Sequence, residues 1–215
     1  MKILRINPKN PLNTTIKEAA SAIRRGGVIV FPTETFYGIG GSAFDTRAAR
    51  KIFRVKGRSE KKPLLVLIAR KSEIWRVARH LPKAAQKLIE KFWPGPLTIV
   101  LKKRKTIPSI VSGGTDTIAV RLSSHPLARA LVRAAGVPIT APSVNLSGRP
   151  PHRTMQGVLK ELGKKKEIAL FLDGGKTPIG KPSTVIDCTK KIPRIIREGA
   201  ITKKQLKKFI EIDKN

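Results

Sequence analysis

Cysteine, aromatic residues and acids are all scarce in this chain. Of 215 residues, 1 is Cys, 1 is Tyr, 2 are Trp and 14 are Asp or Glu. A lone Cys188 excludes an intrachain disulfide and suits a reducing compartment. The three histidines, His80, His125 and His152, are scattered without ligand spacing, so no protein-held metal is expected. The longest unbroken apolar run, residues 64–69, falls far short of the roughly 20 residues of a membrane-spanning helix. Met1-Lys2 leads straight into Ile-Leu-Arg-Ile without an apolar signal core, which points to the cytoplasm. Familiar nucleotide and hydrolase signatures are missing too. Gly175-Lys176-Thr177 ends like a phosphate-binding P-loop, but Leu170 stands where the first glycine belongs. Gly38, Gly40 and Gly41 miss the dinucleotide spacing, and there is no Gly-x-Ser-x-Gly elbow.

What is abundant is positive charge. Lys and Arg number 45, for a net charge of +31 and a pI near 11.2. Such an excess favours anionic partners, either a polynucleotide or a phosphorylated small molecule, and speeds their arrival. The lysines at 164–166 and 203–208 are equally explained as a solvated face or as the Lys-rich habit of heat-adapted proteins.

The length suits one core, and one domain over residues 1–215 is expected. Thr15 followed by Glu18 reads as a capping box, ahead of Ile16, Ala19, Ala20 and Ile23 at helical spacing. Further helices are expected at 46–54, 72–79, 82–92, 126–135 and 154–162, with a basic helix from 202 to 211 in a carboxy-terminal segment 201–215. Strands are expected at 2–7, 28–31, 64–68, 97–102, 117–122, 138–140, 169–173, 183–187 and 194–196. Helices and strands alternate early and strands cluster late. This predicts an α/β fold with a twisted, mixed parallel and antiparallel sheet flanked by helices, presenting a basic concave face.

One stretch organises the rest. Residues 28–41, VIVFPTETFYGIGG, begin as an interior strand, stop at Pro32, and continue with Thr33, Glu34, Thr35 and Tyr37 before three glycines. Ligands in open α/β sheets bind just beyond strand ends, which puts a site here. The other candidates are cations and hydroxyls on loops at strand ends. Lys56 and Arg58 flank Gly57 and can reach one phosphate chain together. Ser143 and Asn145 lie in a loop, 141–151, dense in Pro, Ser, Asn and Gly, and Arg121, Ser183 and Arg197 border strands. The segments 56–63 and 141–151 are candidates to close over a ligand.

The blocks PTETFYGIGG, KGR followed by KPLLVLI, TIAVRL, PITAPSVNLSG, PSTVIDCT and RIIREGAI resemble, in order, the signatures of the YrdC/TsaC family, the threonylcarbamoyl-adenylate synthases. The resemblance runs from the first helix to about Ile201 and matches the family's short form. It implies a YrdC-like fold and a nucleotidyltransferase. L-threonine, bicarbonate and ATP, with Mg²⁺ on the nucleotide, would give threonylcarbamoyl-adenylate and pyrophosphate. The product would pass to a threonylcarbamoyl-transferase machinery acting on the tRNA adenosine beside the anticodon, and tRNA itself is a further partner that the charge permits. The family's KxR and SxN pairs carry over to Lys56, Arg58, Ser143 and Asn145 as ATP-phosphate contacts, with Lys56 and Arg58 as the catalytic pair and Arg197 facing the triphosphate. The threonine pocket carries over to Thr33, Tyr37, Arg121 and Ser183, with Arg121 on the carboxylate. Thr33 or Thr35 is the expected partner of the substrate hydroxyl, and Glu34 is a candidate general base. Many relatives have a His in the strand after KPL; here Leu67 lies in that run. Two other readings compete. One is a non-catalytic module for double-stranded RNA or tRNA. The other is a carbamoyl-adenylate-forming domain like that of hydrogenase maturation factors, which the single cysteine disfavours.

Overall fold

The computed structural model describes residues 2–7 and 13–213. Its strands form two sheets. The first runs β1 (Ile3–Arg5), β8 (Ile168–Asp173), β2 (Val28–Pro32), β3 (Tyr37–Gly40). The second runs β10 (Arg194–Arg197), β9 (Thr184–Asp187), β5 (Leu97–Lys102), β6 (Thr117–Arg121), β4 (Leu65–Leu67), β7 (Ile139–Thr140). Parallel pairs (β1 with β8, β8 with β2, β4 with β6, β5 with β9) mix with antiparallel ones, as expected for an α/β chain of this pattern.

The strand β2 shows why the fold closes around residues 28–41. Every one of its residues is buried, because alternate side chains enter different cores. Ile29 and Phe31 pack with Ile23 of α1 (Asn13–Arg24) and with Leu127 and Leu131 of α4 (Pro126–Ala135). Val28 and Val30 join Ile39 and Ile52, the latter on α2 (Thr46–Lys56). Truncating Phe31 to Ala would cost about 3–5 kcal/mol at such a site.

The two sheets meet where β3 faces β7. Ile39 N–H donates to Pro142 C=O at 3.0 Å, Val144 N–H to Tyr37 C=O at 2.9 Å, and Thr140 N–H to Gly41 C=O at 3.0 Å. The approach is close enough that a Cβ on Gly40 would lie 1.9 Å from Thr140 O. Only glycine fits, and the PTET turn is thereby laid against the 141–151 loop.

Several expectations are corrected. The segment 37–40, absent from the expected strands, is a strand, because its backbone is paired on both sides and not because its side chains favour one. The first helix begins at Asn13, so Thr15 lies inside it and is no cap; Glu18 instead pairs with Lys2 at 2.5 Å. The turn expected over 8–12 lies outside the described residues. The helix expected over 72–79 is a short 3-10 helix, Lys71–Arg76, and the basic helix narrows to α6 (Lys203–Lys207), still capped by Thr202 with Gln205. The remaining helices, α3 (Lys83–Phe92) and α5 (Met155–Leu162), fall where periodicity puts them. Among the described residues no helix is long and apolar enough to cross a membrane.

Candidate active site

A cavity of about 550 Å³ opens where the strand ends of both sheets meet. Thr33, Tyr37, Arg58, Arg121, Ser143, Asn145, Ser183 and Arg197 all line it, as does Thr35, so the fold brings together every residue singled out from the sequence except Lys56 and Glu34.

One set of lining residues is fixed by side chains. Arg121 ends β6 and is 2% exposed. Its Nη1 donates to Thr35 Oγ1 at 3.3 Å, and its Nη2 lies 3.8 Å from Glu34 Oε2, which also accepts from Ser123 Oγ. Glu34 is 3% exposed and does not line the cavity, so its carboxylate is a counter-charge behind Arg121. That argues against the role of base. Thr33 spends its proton on Phe36 C=O at 2.7 Å, so in the 3.0 Å contact between the Thr33 and Thr35 hydroxyls Thr35 is the donor. Thr35 Oγ1 therefore faces the cavity as an acceptor. The turn is braced from behind: Thr177 Oγ1 donates to Thr35 C=O at 2.9 Å and Ile179 N–H to Glu34 C=O at 3.0 Å. Tyr37 donates its hydroxyl to Gly175 C=O at 2.7 Å, and burial, reinforced by Asp173, pushes its acidity further out of reach. Its ring lines the site and its hydroxyl secures the 174–182 loop. Ser183 Oγ pairs with Thr98 Oγ1 at 2.9 Å.

A second set hangs on backbone oxygens. Gly57, with φ at +56°, is the left-handed cap of α2: its N–H donates to Arg54 C=O and the following Arg58 N–H donates to Phe53 C=O. This reversal separates its neighbours. Arg58 emerges into the cavity with Nη2 on Pro63 C=O at 3.1 Å, whereas Lys56 stays in the interior at 2% exposure. Lys56 Nζ donates to the carbonyls of Ser143 and, at 2.7 Å, Asn145, with Asn145 Oδ1 at 3.4 Å. Burial and the adjacent Arg58 lower its pKa to about 8, with Glu161 opposing the shift. Ser143 Oγ donates to Asn145 Oδ1 at 2.7 Å, and Asn145 Nδ2 to the Arg149 carbonyl at 2.7 Å. Arg197 grips the Ser183 carbonyl through Nη2 at 2.8 Å, and burial and then Arg121 depress its pKa.

Arg121 and Arg58 each keep a buried Nε without a hydrogen-bond partner among the described residues. A cavity lined by four guanidinium groups, those of Arg58, Arg121, Arg149 and Arg197, with no carboxylate in its lining, is built for anions. Among the described residues there is no cluster of three or more His, Cys, Asp or Glu side chains to hold a metal.

Two polar lining residues, Arg149 and Thr98, carry no mark in the sequence analysis. Arg149 is one charge among 45 and carries no distinguishing neighbour. Thr98 is legible in hindsight as the hydroxyl in an otherwise apolar buried strand. Leu67, in the run where many relatives carry His, is fully buried in the core and does not line the cavity.

Residues 21–199 match the Sua5/YciO/YrdC family model, described as "Telomere recombination". A threonylcarbamoyl-AMP synthase of Pyrococcus abyssi is 41% identical over 195 residues, covering 91% of this chain and 57% of the relative. One of Bacillus subtilis is 43% identical over 196 residues, covering 91% and 56%. The chain thus spans little more than half the length of these two relatives. The structure of P. abyssi Sua5 complexed with L-threonine superposes with a TM-score of 0.94 at 38% identity, covering 99% of this chain and 63% of that one.

Proposed function

This chain belongs to the Sua5/YciO/YrdC family, and from that premise we propose that it is an L-threonylcarbamoyladenylate synthase, joining L-threonine, bicarbonate and ATP into threonylcarbamoyl-AMP with release of pyrophosphate. The reading takes residues 1–215 as one catalytic unit working in the cytoplasm. The observation that carries it is the single cavity in which Arg121, braced by buried Glu34 and Thr35, shares a wall with Arg58, Ser143, Asn145 and Arg197.

The chemistry needs no protein nucleophile. The threonine amine adds to bicarbonate, losing water to give a carbamate; a carbamate oxygen then forms a bond to the α-phosphorus of ATP as the bond to pyrophosphate breaks. The protein's work is to hold anionic reactants side by side and balance charge on the phosphates. In this reading the Arg121 guanidinium takes the threonine carboxylate and uses its unspent Nε–H there. Thr35 Oγ1 accepts the proton of the substrate hydroxyl, which selects threonine over valine by hydrogen bonding where shape cannot. Thr33, Tyr37 and Ser183 shape that pocket.

Arg58, Ser143, Asn145 and Arg197 take the triphosphate. Mg²⁺ arrives on the nucleotide and shields its phosphates. Lys56 contributes by fixing the Ser143 and Asn145 backbone next to the phosphates, its charge adding to that of Arg58. Transfer of the product to tRNA by separate machinery completes the reading, the +31 charge suiting tRNA as an encounter partner.

The test is pyrophosphate release from ATP with bicarbonate and Mg²⁺, comparing threonine, serine, valine and no amino acid. Release that requires both threonine and bicarbonate is expected. A folded protein that releases none, yet binds RNA in a salt-sensitive way, would put the nucleic-acid-binding module in its place.

A further inference from the structure

Two opposite charges tie down the 141–151 loop from behind the cavity. Lys56 holds its first half through the Ser143 and Asn145 carbonyls, and Ser147 N–H answers by donating to the Lys56 carbonyl at 2.8 Å. The second half converges on one carboxylate. Glu161 of α5, 9% exposed, accepts from Leu146 N–H at 3.2 Å, faces Arg149 Nε at 3.9 Å, and meets His152 Nε2 with its other oxygen. The fit of α5 against this cluster is close: a Cβ on Gly157 would lie 2.9 Å from His152 Nδ1. Beyond the cluster, the His152 carbonyl accepts Tyr37 N–H at 3.0 Å, so the anchored loop continues directly into β3. Burial alone would raise the Glu161 carboxyl. The hydrogen bonds from His152 and Leu146, with the charges of His152 and Arg149, outweigh it and hold the group below its ordinary value.

We infer that Glu161, which does not line the cavity, is a positioning residue for the nucleotide. Its carboxylate fixes residues 146–152, and through them presents Ser143, Asn145 and Arg149 to the phosphates in one arrangement. This inference rests on the synthase reading and deepens it. A loop of this composition samples many conformers when untethered, and ordering it at the moment of binding subtracts from affinity; Glu161 meets that cost during folding. Of the threonine pocket, Arg121 and Ser183 are held by Glu34, Thr35 and Thr98 on other elements, and only the Tyr37 backbone, through the His152 carbonyl, connects to the tether.

The test is Glu161→Gln, which keeps the volume and an acceptor for Leu146 N–H and removes the charge. Pyrophosphate release is measured with ATP varied at saturating threonine, then threonine varied at saturating ATP. The KM for ATP is expected to rise about tenfold, the scale of one lost charge-assisted hydrogen bond, with the KM for threonine unchanged and the melting temperature only slightly lowered. An unchanged KM for ATP overturns the inference, and so does a loss in which both KM values and the melting temperature move together. If Glu161→Gln does not fold, His152→Gln decides: the KM for ATP rises in the same direction, or the inference fails. A wild-type protein without synthase activity would sink the parent reading instead. Equilibrium binding of ATP to wild type and Glu161→Gln then judges the tether alone, equal affinities overturning it.

Discussion

Arg121 and Arg58 line one cavity, yet the first is held by side chains and the second by backbone. Arg121 sits at a strand end, sealed at 2% exposure against Glu34 and Thr35, with Ser123 bracing the carboxylate in turn. Arg58 follows a helix cap and leans on the Pro63 carbonyl; Lys56 and Arg197 likewise rest on carbonyls. A pair of opposite charges in a dry interior is rigid and strong, and suits a small ligand that must be recognised atom by atom. Cations on carbonyls lose no charge to their support, so their full positive field remains for a polyanion. The two modes of anchoring divide the site into a recognition half and a charge-balancing half.

Arg121→Gln should break the first half most severely. It removes the carboxylate fork and leaves Glu34 buried without its counter-charge, a change worth about 2–5 kcal/mol, so kcat/KM for threonine should fall by at least roughly 30-fold and the melting temperature with it. Unchanged threonine kinetics would place the carboxylate elsewhere. In the second half, Lys56→Ala and Arg58→Ala should each lower kcat/KM for ATP by at least about tenfold. The two should part company in thermal melts. Lys56→Ala strands two loop carbonyls that Nζ now satisfies and should cost about 1–3 kcal/mol of stability, while Arg58→Ala should melt near wild type. Equal melting temperatures would show that Lys56 is no strut.

Selectivity gives a smaller effect. Thr35→Val keeps the shape of the pocket and deletes the acceptor, so discrimination of threonine against valine should drop by roughly 5- to 30-fold with the ATP parameters intact, consistent with about 1–2 kcal/mol for one hydrogen bond. Retained discrimination would hand the role to Thr33 or to the Ser183 and Thr98 pair. The mildest expectation concerns pH. Lys56 has its folded pKa depressed from 10.5 to about 8, so its cation is lost as pH rises through about 8, and kcat/KM for ATP should fall there. Stability moves the other way. Between about 8 and 10.5 the unfolded chain binds the extra proton, so folding gains as pH rises across that window. Because the Glu161 charge raises the Lys56 pKa, Glu161→Gln should shift the alkaline limb of activity to lower pH. A limb that stays in place, read from the pH profile, would uncouple the two charges.

The sequence by itself determined the core elements and the membership of the site. Val28 to Phe31 can only be an interior strand, and the second and fourth helices lie close to the expected 46–54 and 126–135. These are local effects of periodicity, capping and backbone freedom, so neighbouring residues suffice to read them. Ordered blocks of cations and hydroxyls at strand ends likewise gave much of the cavity's polar lining in advance, though Lys56 lies behind it and Arg149 and Thr98 were missed. Only the tertiary structure decided what each group faces. The strand Tyr37–Gly40 exists because β7 and the 141–151 loop pair with its other edge; the Lys56 ammonium turned inward because the left-handed Gly57 sends it and Arg58 in different directions. Glu34, which in the sequence resembles a base, became a counter-ion because Arg121 arrives beside it from another sheet, 87 positions along the chain. Glu161 gave no local signal at all, and Thr98 only that of a lone hydroxyl in an apolar strand. Their roles arise from contacts between segments distant in the chain, and a side chain's partner across such a distance is fixed by packing and not by its own neighbours.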